Sequence, residues 1–250
     1  MKIFEISFFW ISIAPTYYGL MYALAFIIGY LILSKRKILT EVKLDTLVLY
    51  IFLGVVLWGR LWYILFYSLN YFLEYPKRII EIWNGWMSFH GWCIGVILAV
   101  YIYSKTNKEN FWKIIDQIAS VAPIWIGLGR IGNYINKELL GFLYDGPLAV
   151  KVWEVSYFPS PLLEAFLEWF ILYIIVRYTY LKQTTYWLVS GVFLTWYGLF
   201  RIIIELFVRT PDTNIGYIYW PFSLWAILSL PMILLWIFII WYFIKGNKKS

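Results

Sequence analysis

Charged and amide side chains occur inside stretches of this sequence that are otherwise apolar enough to lie in a lipid bilayer. Placing an arginine at mid-span costs about 2.5 to 3.5 kcal/mol on insertion scales, so such residues usually face a cavity or a partner and mark functional sites. Together, guanidinium, imidazole and carboxylate groups can bind an anion and move a proton. The polar residues in such positions are Arg60, His90, Arg130, Asn133, Glu164, Glu168, Arg201 and Glu205.

Two pairs of these residues have helical spacing. Arg130 and Asn133 are three residues apart and Arg201 and Glu205 are four apart, so each pair lies on one face of its helix. The planar guanidinium fork of arginine matches the oxygens of a phosphate. Three arginines within the membrane spans, with few acidic residues to balance them, therefore predict an anionic ligand. A phospholipid headgroup is the obvious anion in a membrane.

Structural interpretations of the same residues remain open. Arg201 and Glu205 could be an ion pair that holds two helices together. Glu164 and Glu168 are more simply interpreted as residues at the outer membrane interface. Without further context His90, near a helix start, is more simply a polar residue satisfied by its neighbours.

The composition identifies the class of protein that must position these side chains. Hydrophobic residues make up 62% of the sequence and charged residues 14%, against about 25% charged in a soluble domain. A helix needs about 20 apolar residues to cross a bilayer. We therefore predict an all-α integral membrane protein, a seven-transmembrane-helix bundle in one polytopic domain over residues 1–250. The spans are centred near residues 25, 57, 96, 125, 171, 196 and 233.

Lysine and arginine are distributed unequally between the two sides of this bundle. Eleven follow odd-numbered spans and six lie on the opposite side. Because positively charged loops stay in the cytoplasm, we predict the N-terminus outside and the C-terminus inside. This asymmetry and the buried arginines account for most of the net charge of +7, so nucleic-acid binding is not expected. The turn at residues 145–147 predicts a small outer-face cap at about residues 138–160.

Several kinds of site are not expected. Cys93 is the one cysteine and His90 the one histidine, which argues against a disulfide and against a zinc site. A small buried thiol is ordinary in a membrane helix, so a Cys-His nucleophile is not expected either. The first residues lack a small-residue cleavage site, and the first span should serve as the insertion signal. We expect a monomer in the lipid bilayer.

The segment GRIGNYINKELLG (129–141) carries a resemblance to a known family. It resembles the signature of bacterial prolipoprotein diacylglyceryl transferases, Gly-Arg-x-Gly-Asn-(aromatic)-x-Asn-x-Glu-x-x-Gly. Further matches follow the family's order over nearly the whole chain: YYGLMY (17–22), GRLWYILFY (59–67), MSFHG (87–91), GLFRIIIELF (198–207) and ILSLPM (227–232).

This resemblance implies a multi-pass enzyme of the bacterial cytoplasmic (inner) membrane. Such enzymes transfer the diacylglyceryl group of phosphatidylglycerol to the lipobox cysteine of a prolipoprotein, release glycerol phosphate and need no cofactor. His90 would take the thiol proton, with Glu205 as an alternative base or as the residue that orients Arg201. Arg130 and Arg201 would hold the phosphodiester and stabilise its developing charge.

A second group of family positions would contact the headgroup and shape the site. For Arg60 a structural role is an equal alternative. The group consists of Tyr18, Arg60, Asn133, Asn136, Glu138 and Gly141.

The cap departs from the family pattern. It is shorter than usual, and the family's His-Pro-Ser-Gln motif appears here as FPSP at 158–161. The basic residue that commonly follows Gly141 is Phe142. We therefore expect recognition of the peptide substrate to differ.

Two other functions are compatible with buried arginines. A lipid or anion transporter would need paired half-spans or inverted repeats, which are not evident. An inactive relative is less expected because the main site residues are retained, although the broken cap motif leaves that alternative open.

Nine of the 16 tryptophans occupy positions where the family typically has glycine. Glycine lets membrane helices approach closely, and an indole would separate them. We hypothesise that the gene comes from a bacterium that reads UGA as glycine. This sequence would then result from translation with a code that reads UGA as tryptophan. The alternative is a lineage that packs these indoles. The positions are Trp58, Trp62, Trp86, Trp92, Trp125, Trp169, Trp187, Trp196 and Trp225.

The codons of the gene separate these two explanations. We expect UGA at the nine positions, and sequencing the genomic DNA gives the answer directly. UGG at those positions would end the hypothesis.

Overall fold

The computed structural model describes residues 16–81 and 88–209 of the chain. It also describes the backbone of four short stretches (6–8, 11–13, 217–219 and 222–223) and the single residues Leu234 and Ile237. The side chains of residues 89 and 90 lie outside the described part.

The described part is mostly helical. Its helices are α1 (Tyr17–Arg36), α2 (Glu41–Tyr67), α3 (Leu69–Glu74), a 3-10 helix (Pro76–Ile80), α4 (Phe89–Thr106), α5 (Phe111–Ala119), α6 (Ala122–Asn136), α7 (Ser160–Glu164), a π-helical stretch (Ala165–Ile171), α8 (Leu172–Lys182) and α9 (Leu188–Phe207). Three antiparallel strand pairs accompany them: β1 (Ile6–Phe8) with β2 (Ile11–Ile13), β3 (Val150–Val152) with β4 (Val155–Tyr157), and β5 (Tyr217–Tyr219) with β6 (Phe222–Ser223).

Four helical stretches are long and apolar enough to cross a membrane, namely Tyr17–Arg36, Glu41–Tyr67, Phe111–Asn136 and Leu188–Phe207. They coincide with four of the predicted spans, which supports the assignment to the helical membrane proteins. The regions near residues 96 and 171 are also helical, as α4 and as α7 to α8. The predicted seventh span, near residue 233, lies outside the described residues except for Leu234 and Ile237.

The contacts divide the chain into two units, residues 30–115 and residues 1–29 with 116–250. In the first of these, α2 and α4 pack backbone to backbone. A Cβ on Gly95 would overlap the carbonyl of Gly54 and lie 3.1 Å from Cβ of Trp58. A Cβ on Gly91 would lie 2.7 Å from Cβ of Trp62. Small residues on α4 therefore allow this close crossing, as in many membrane helix pairs.

The second unit has an apolar core between α8 and α9. A buried carboxylate adds a polar anchor to this core: Oδ1 of Asp116 accepts hydrogen bonds from the backbone N (2.9 Å) and Oγ (2.7 Å) of Ser190. This anchor joins α5 to the first turn of α9, the helix that carries Arg201. The core residues are Ala119, Leu172, Val176, Val189, Tyr197 and Phe200.

Two tryptophans of the nine bear on the codon hypothesis in different ways. Trp187, just before α9, has a φ of 79°, a left-handed conformation that costs an ordinary L residue roughly 1–2 kcal/mol. The side chain of Trp169 lies where a Cβ on Gly127 would be. The positive φ of Trp187 favours the codon hypothesis, which stays a prediction. Trp86 and Trp225 lie outside the described residues.

Replacing Trp187 by glycine should stabilise the protein. Because glycine adopts positive φ without steric cost, Trp187→Gly should raise the free energy of unfolding by about 1 kcal/mol, measured by thermal unfolding in detergent. The matched control is Trp112→Gly inside α5, where glycine should lower stability by about 1 kcal/mol. A lower melting temperature for Trp187→Gly would show that the indole is accommodated there.

Candidate active site

Six charged side chains from three helical segments form one cluster in the second unit. Arg130 comes from α6, and Glu164 and Glu168 come from the α7 and π-helical stretch. The other three members, Arg201, Glu205 and Arg209, lie on or just after α9. We call these six residues the charge cluster.

Glu164 and Glu168 each bridge two arginines. Oε2 of Glu164 lies 3.0 Å from Nε of Arg130 and 2.9 Å from Nη1 of Arg201. Glu168 contacts each arginine with a different oxygen: its Oε2 lies 3.0 Å from Nε of Arg130, and its Oε1 lies 3.2 Å from Nη1 of Arg201. These four contacts fix the two arginines relative to each other.

The α9 side of the cluster forms a second set of ion pairs. Nη2 of Arg201 donates to Oε1 of Glu205, which also accepts from Nη1 of Arg209 at 2.9 Å. Oε1 of Glu164 has no hydrogen bond and lies 4.0 Å from Nε of Arg209. Burial lowers the pKa of the Arg209 guanidinium, and the Glu164 carboxylate opposes that shift. Sequence reasoning missed Arg209, although its spacing of four from Glu205 was a usable signal.

The sequence-based interpretation of Glu164 and Glu168 as residues at the outer interface is wrong. Both side chains are fully buried against arginines. Their spacing of four puts both on the helix face that meets α6 and α9. The expected excess of arginine over acid is also absent in this cluster, where three carboxylates match three guanidiniums.

The cluster still has capacity to bind an anion. In these ion pairs Arg130 uses only its Nε, and at 14% exposure its side chain is the most accessible of the six. A guanidinium has five N–H donors, so those on the two Nη atoms of Arg130 suit two oxygens of a phosphodiester. The carboxylates hold the guanidinium in place and compensate the cost of burying its charge.

Tyr18 links α1 to the signature segment beside Arg130. Its hydroxyl contacts Oδ1 of Asn133 and lies 2.6 Å from Oε2 of Glu138. The hydroxyl has one proton, so it donates to one oxygen at a time. If the Asn133 amide is turned over, its NH2 donates to Tyr18 and the Tyr18 proton goes to Glu138. The three predicted residues therefore form one polar group.

The end of α6 explains why Glu138 reaches Tyr18. Lys137 adopts a left-handed conformation with a φ of 57°, which ends the helix, and the Glu138 N–H bonds the Asn133 carbonyl at 2.9 Å. Asn136 lies half-buried in the last turn. Gly141 follows with its N–H 2.9 Å from the Phe158 carbonyl, where a Cβ would lie 2.6 Å from the Val208 carbonyl. Gly141 thus allows the next segment to approach the end of α9.

The segment after Gly141 folds as a small hairpin, β3 with β4. The rings of Phe142 and Phe158 stack with centroids 5.2 Å apart. Oγ of Ser160 donates to the Leu139 carbonyl at 2.6 Å, so the serine of the altered FPSP motif ties the start of α7 to the signature segment.

The remaining two predicted site residues belong to the first unit. Arg60 is buried on α2, where its Nε donates to the Ile79 carbonyl at 3.1 Å. His90 lies in the first turn of α4, which begins after Ser88. The structure does not describe its side chain. The role of His90 as a base therefore stays a prediction.

Comparison of the sequence with known proteins identifies its relatives. Residues 5–242 match the sequence model of the family described as prolipoprotein diacylglyceryl transferase. The chain is similar to phosphatidylglycerol–prolipoprotein diacylglyceryl transferases of three bacteria. Identity is 41% to that of Pasteurella multocida (covering 99% of this chain and 94% of the relative), 40% to that of Rickettsia bellii (95% and 93%) and 38% to that of Pseudomonas savastanoi pv. phaseolicola (94% and 91%).

Removing one carboxylate from the charge cluster should destabilise the protein strongly. Glu168→Gln keeps the side-chain shape and leaves buried arginine charge uncompensated, which should cost about 3–5 kcal/mol of unfolding free energy in thermal melts. Glu109→Gln is the matched control. Its partner Lys43 is 43% exposed, so that change should cost at most about 1 kcal/mol. Equal melting temperatures for the two variants would contradict the burial of Glu168.

Proposed function

This chain belongs to the prolipoprotein diacylglyceryl transferase family, and we propose on that basis that it transfers the diacylglyceryl group of phosphatidylglycerol to the lipobox cysteine of prolipoproteins. The reaction is the first step of lipoprotein maturation. We propose that it needs neither a metal nor another cofactor.

The reaction is a substitution at carbon. The cysteine sulfur attacks the glycerol carbon that carries the phosphate ester, and a C–S bond forms while the C–O bond breaks. The electron pair of that bond goes to the phosphate oxygen, so glycerol phosphate leaves with one more negative charge than the phosphodiester had. The thiol proton passes to a base. Catalysis therefore has two parts, namely removal of that proton and stabilisation of the charge on the phosphate.

Arg130 and Arg201 supply the second part. Arg130 contacts its carboxylates through Nε, which leaves its Nη donors for the phosphodiester. Arg201 is deeper and is paired with three carboxylates, so its guanidinium is held in a fixed position. Preorganised donors of this kind stabilise a developing charge without reorganisation during the reaction.

His90 is the proposed base for the thiol proton. The pKa of a cysteine thiol is about 8.5 and that of histidine about 6.5, so a neutral imidazole near the thiol raises the thiolate fraction. Glu205 is the alternative base. Its contacts with the guanidiniums of Arg201 and Arg209 favour a role in positioning them.

The polar group Tyr18, Asn133 and Glu138 is proposed to bind the hydroxyls of the lipid headgroup, with Asn136 beside it. Gly141 and the hairpin after it are proposed as the outer-face cap over the site, where the lipobox peptide arrives. This placement requires the N-terminus outside and the C-terminus inside. We propose one polytopic domain of seven spans, acting as a monomer in the bacterial inner membrane.

The observation that carries this proposal is the meeting of Arg130 and Arg201 on two shared carboxylates. The signature segment and the α9 motif are about 70 residues apart in sequence, yet their arginines share Glu164 and Glu168. Guanidiniums that are fixed in this way can stabilise the charge on a phosphate leaving group.

The transferase activity can be measured in phosphatidylglycerol vesicles with a synthetic lipobox peptide. We expect the peptide mass to increase by one diacylglyceryl group, together with release of glycerol phosphate, and no increase for a peptide with Cys→Ser. Arg130→Lys and Arg201→Lys keep the charge but lose the fork, and each should lower kcat/KM by roughly 10²- to 10³-fold.

The matched control is Arg177→Lys on α8, whose guanidinium lies over the Tyr180 ring away from the charge cluster. It should retain wild-type activity. Lipid binding without any mass increase, in protein shown to be folded, would indicate an inactive relative or a binding protein.

A further inference from the structure

Arg60 directs its guanidinium at backbone carbonyls of the segment that follows α2 and α3. Its Nε donates to the Ile79 carbonyl at 3.1 Å, and its Nη2 donates to the carbonyls of Arg78 and of Glu81, the latter at 3.2 Å. The same group lies over the Phe72 ring at 4.9 Å from its centroid. Only 4% of the residue is exposed.

These contacts make Arg60 a poor ligand for a phosphodiester. Arg60 supplies donors to three carbonyls at the end of the 3-10 helix, of which that of Arg78 also accepts the Glu81 N–H at 3.2 Å. An incoming phosphate would have to take the Nε and Nη2 donors away from these carbonyls, with a loss of hydrogen bonds that the phosphate contacts must offset. The contacts therefore favour a role in holding the backbone.

The neighbouring residue holds the other end of the same connection. The Gly59 carbonyl accepts a hydrogen bond from the N–H of Ser88 at 3.0 Å. Ser88 is buried and precedes the first turn of α4, which contains His90. Two adjacent residues of α2 thus bind both ends of the connection between the 3-10 helix and α4.

We propose that Arg60 is a positioning residue for His90. With Gly59, it fixes the backbone on both sides of residues 82–87 against one turn of α2 and so sets where the first turn of α4 begins. This proposal rests on the proposed function only for the role of His90 as the base. The fixing of the backbone by Arg60 stands on the contacts alone.

Arginine is suited to this task in a way that lysine is not. The carbonyls of Ile79, Arg78 and Glu81 are bound from two different nitrogens of one rigid plane, whereas an ammonium is a single point of attachment. Arg60→Lys keeps the charge and changes the geometry. Arg60→Gln removes the charge as well.

The first experiment measures amide hydrogen exchange by mass spectrometry on the full chain in detergent. We expect peptides that cover residues 76–90 to exchange faster in both Arg60 variants. Arg78→Gln is the matched control, because it removes a neighbouring guanidinium but keeps the backbone carbonyl that Arg60 binds. Unchanged exchange in the Arg60 variants would overturn the proposal whether or not the transfer assay succeeds.

The second experiment measures transfer kinetics for wild type, Arg60→Lys and Arg78→Gln, normalised to folded protein. If Arg60→Lys displaces His90, kcat should fall by roughly 10- to 100-fold, while KM for phosphatidylglycerol stays within about twofold of the wild-type value. A raised KM with unchanged kcat would make Arg60 a lipid ligand instead. If Arg60→Lys has a lower melting temperature but unchanged activity per folded molecule, Arg60 is purely structural. Inactivity of the wild-type protein would count against the proposed function alone.

Discussion

The structure depends on the requirement that charges buried in a membrane protein be compensated. Arg130, Arg201 and Arg209 are matched by Glu164, Glu168 and Glu205 within contacts of about 3 to 4 Å. Removing one partner from such a pair is expensive, so the three helical segments that supply them are held in register by the site itself. The same arrangement that stabilises the fold keeps the guanidiniums fixed, as their proposed role toward an anionic substrate requires.

Other features of the second unit support this cluster at a distance. Asp116 anchors the start of α9 through Ser190, and the left-handed Lys137 ends α6 so that Glu138 returns to Tyr18. Ser160 ties the start of α7 to the signature segment. Arg130 and Arg201 therefore lie on helices whose positions are set at a second point, as preorganised electrostatic stabilisation requires.

Sequence alone was sufficient for the membrane class, the family and the spacing of the two arginine faces. It failed for Glu164 and Glu168, because an acidic pair at a span end looks the same whether it faces lipid headgroups or arginines from other helices. Arg209 was missed because a basic residue at a span end looks the same whether it faces lipid headgroups or carboxylates from other helices, although its spacing from Glu205 pointed to it. Long-range pairing is a property of packing, which hydropathy and local periodicity do not encode.

The most direct test is the binding of phosphatidylglycerol, compared with diacylglycerol that lacks the phosphate, to wild type and Arg130→Gln by native mass spectrometry in detergent. If the charge cluster holds the phosphodiester, the variant should bind phosphatidylglycerol roughly 10- to 100-fold more weakly and diacylglycerol equally well, since one charge-assisted hydrogen bond is worth about 1.5–3 kcal/mol. Equal phosphatidylglycerol binding by the two folded proteins would contradict this account.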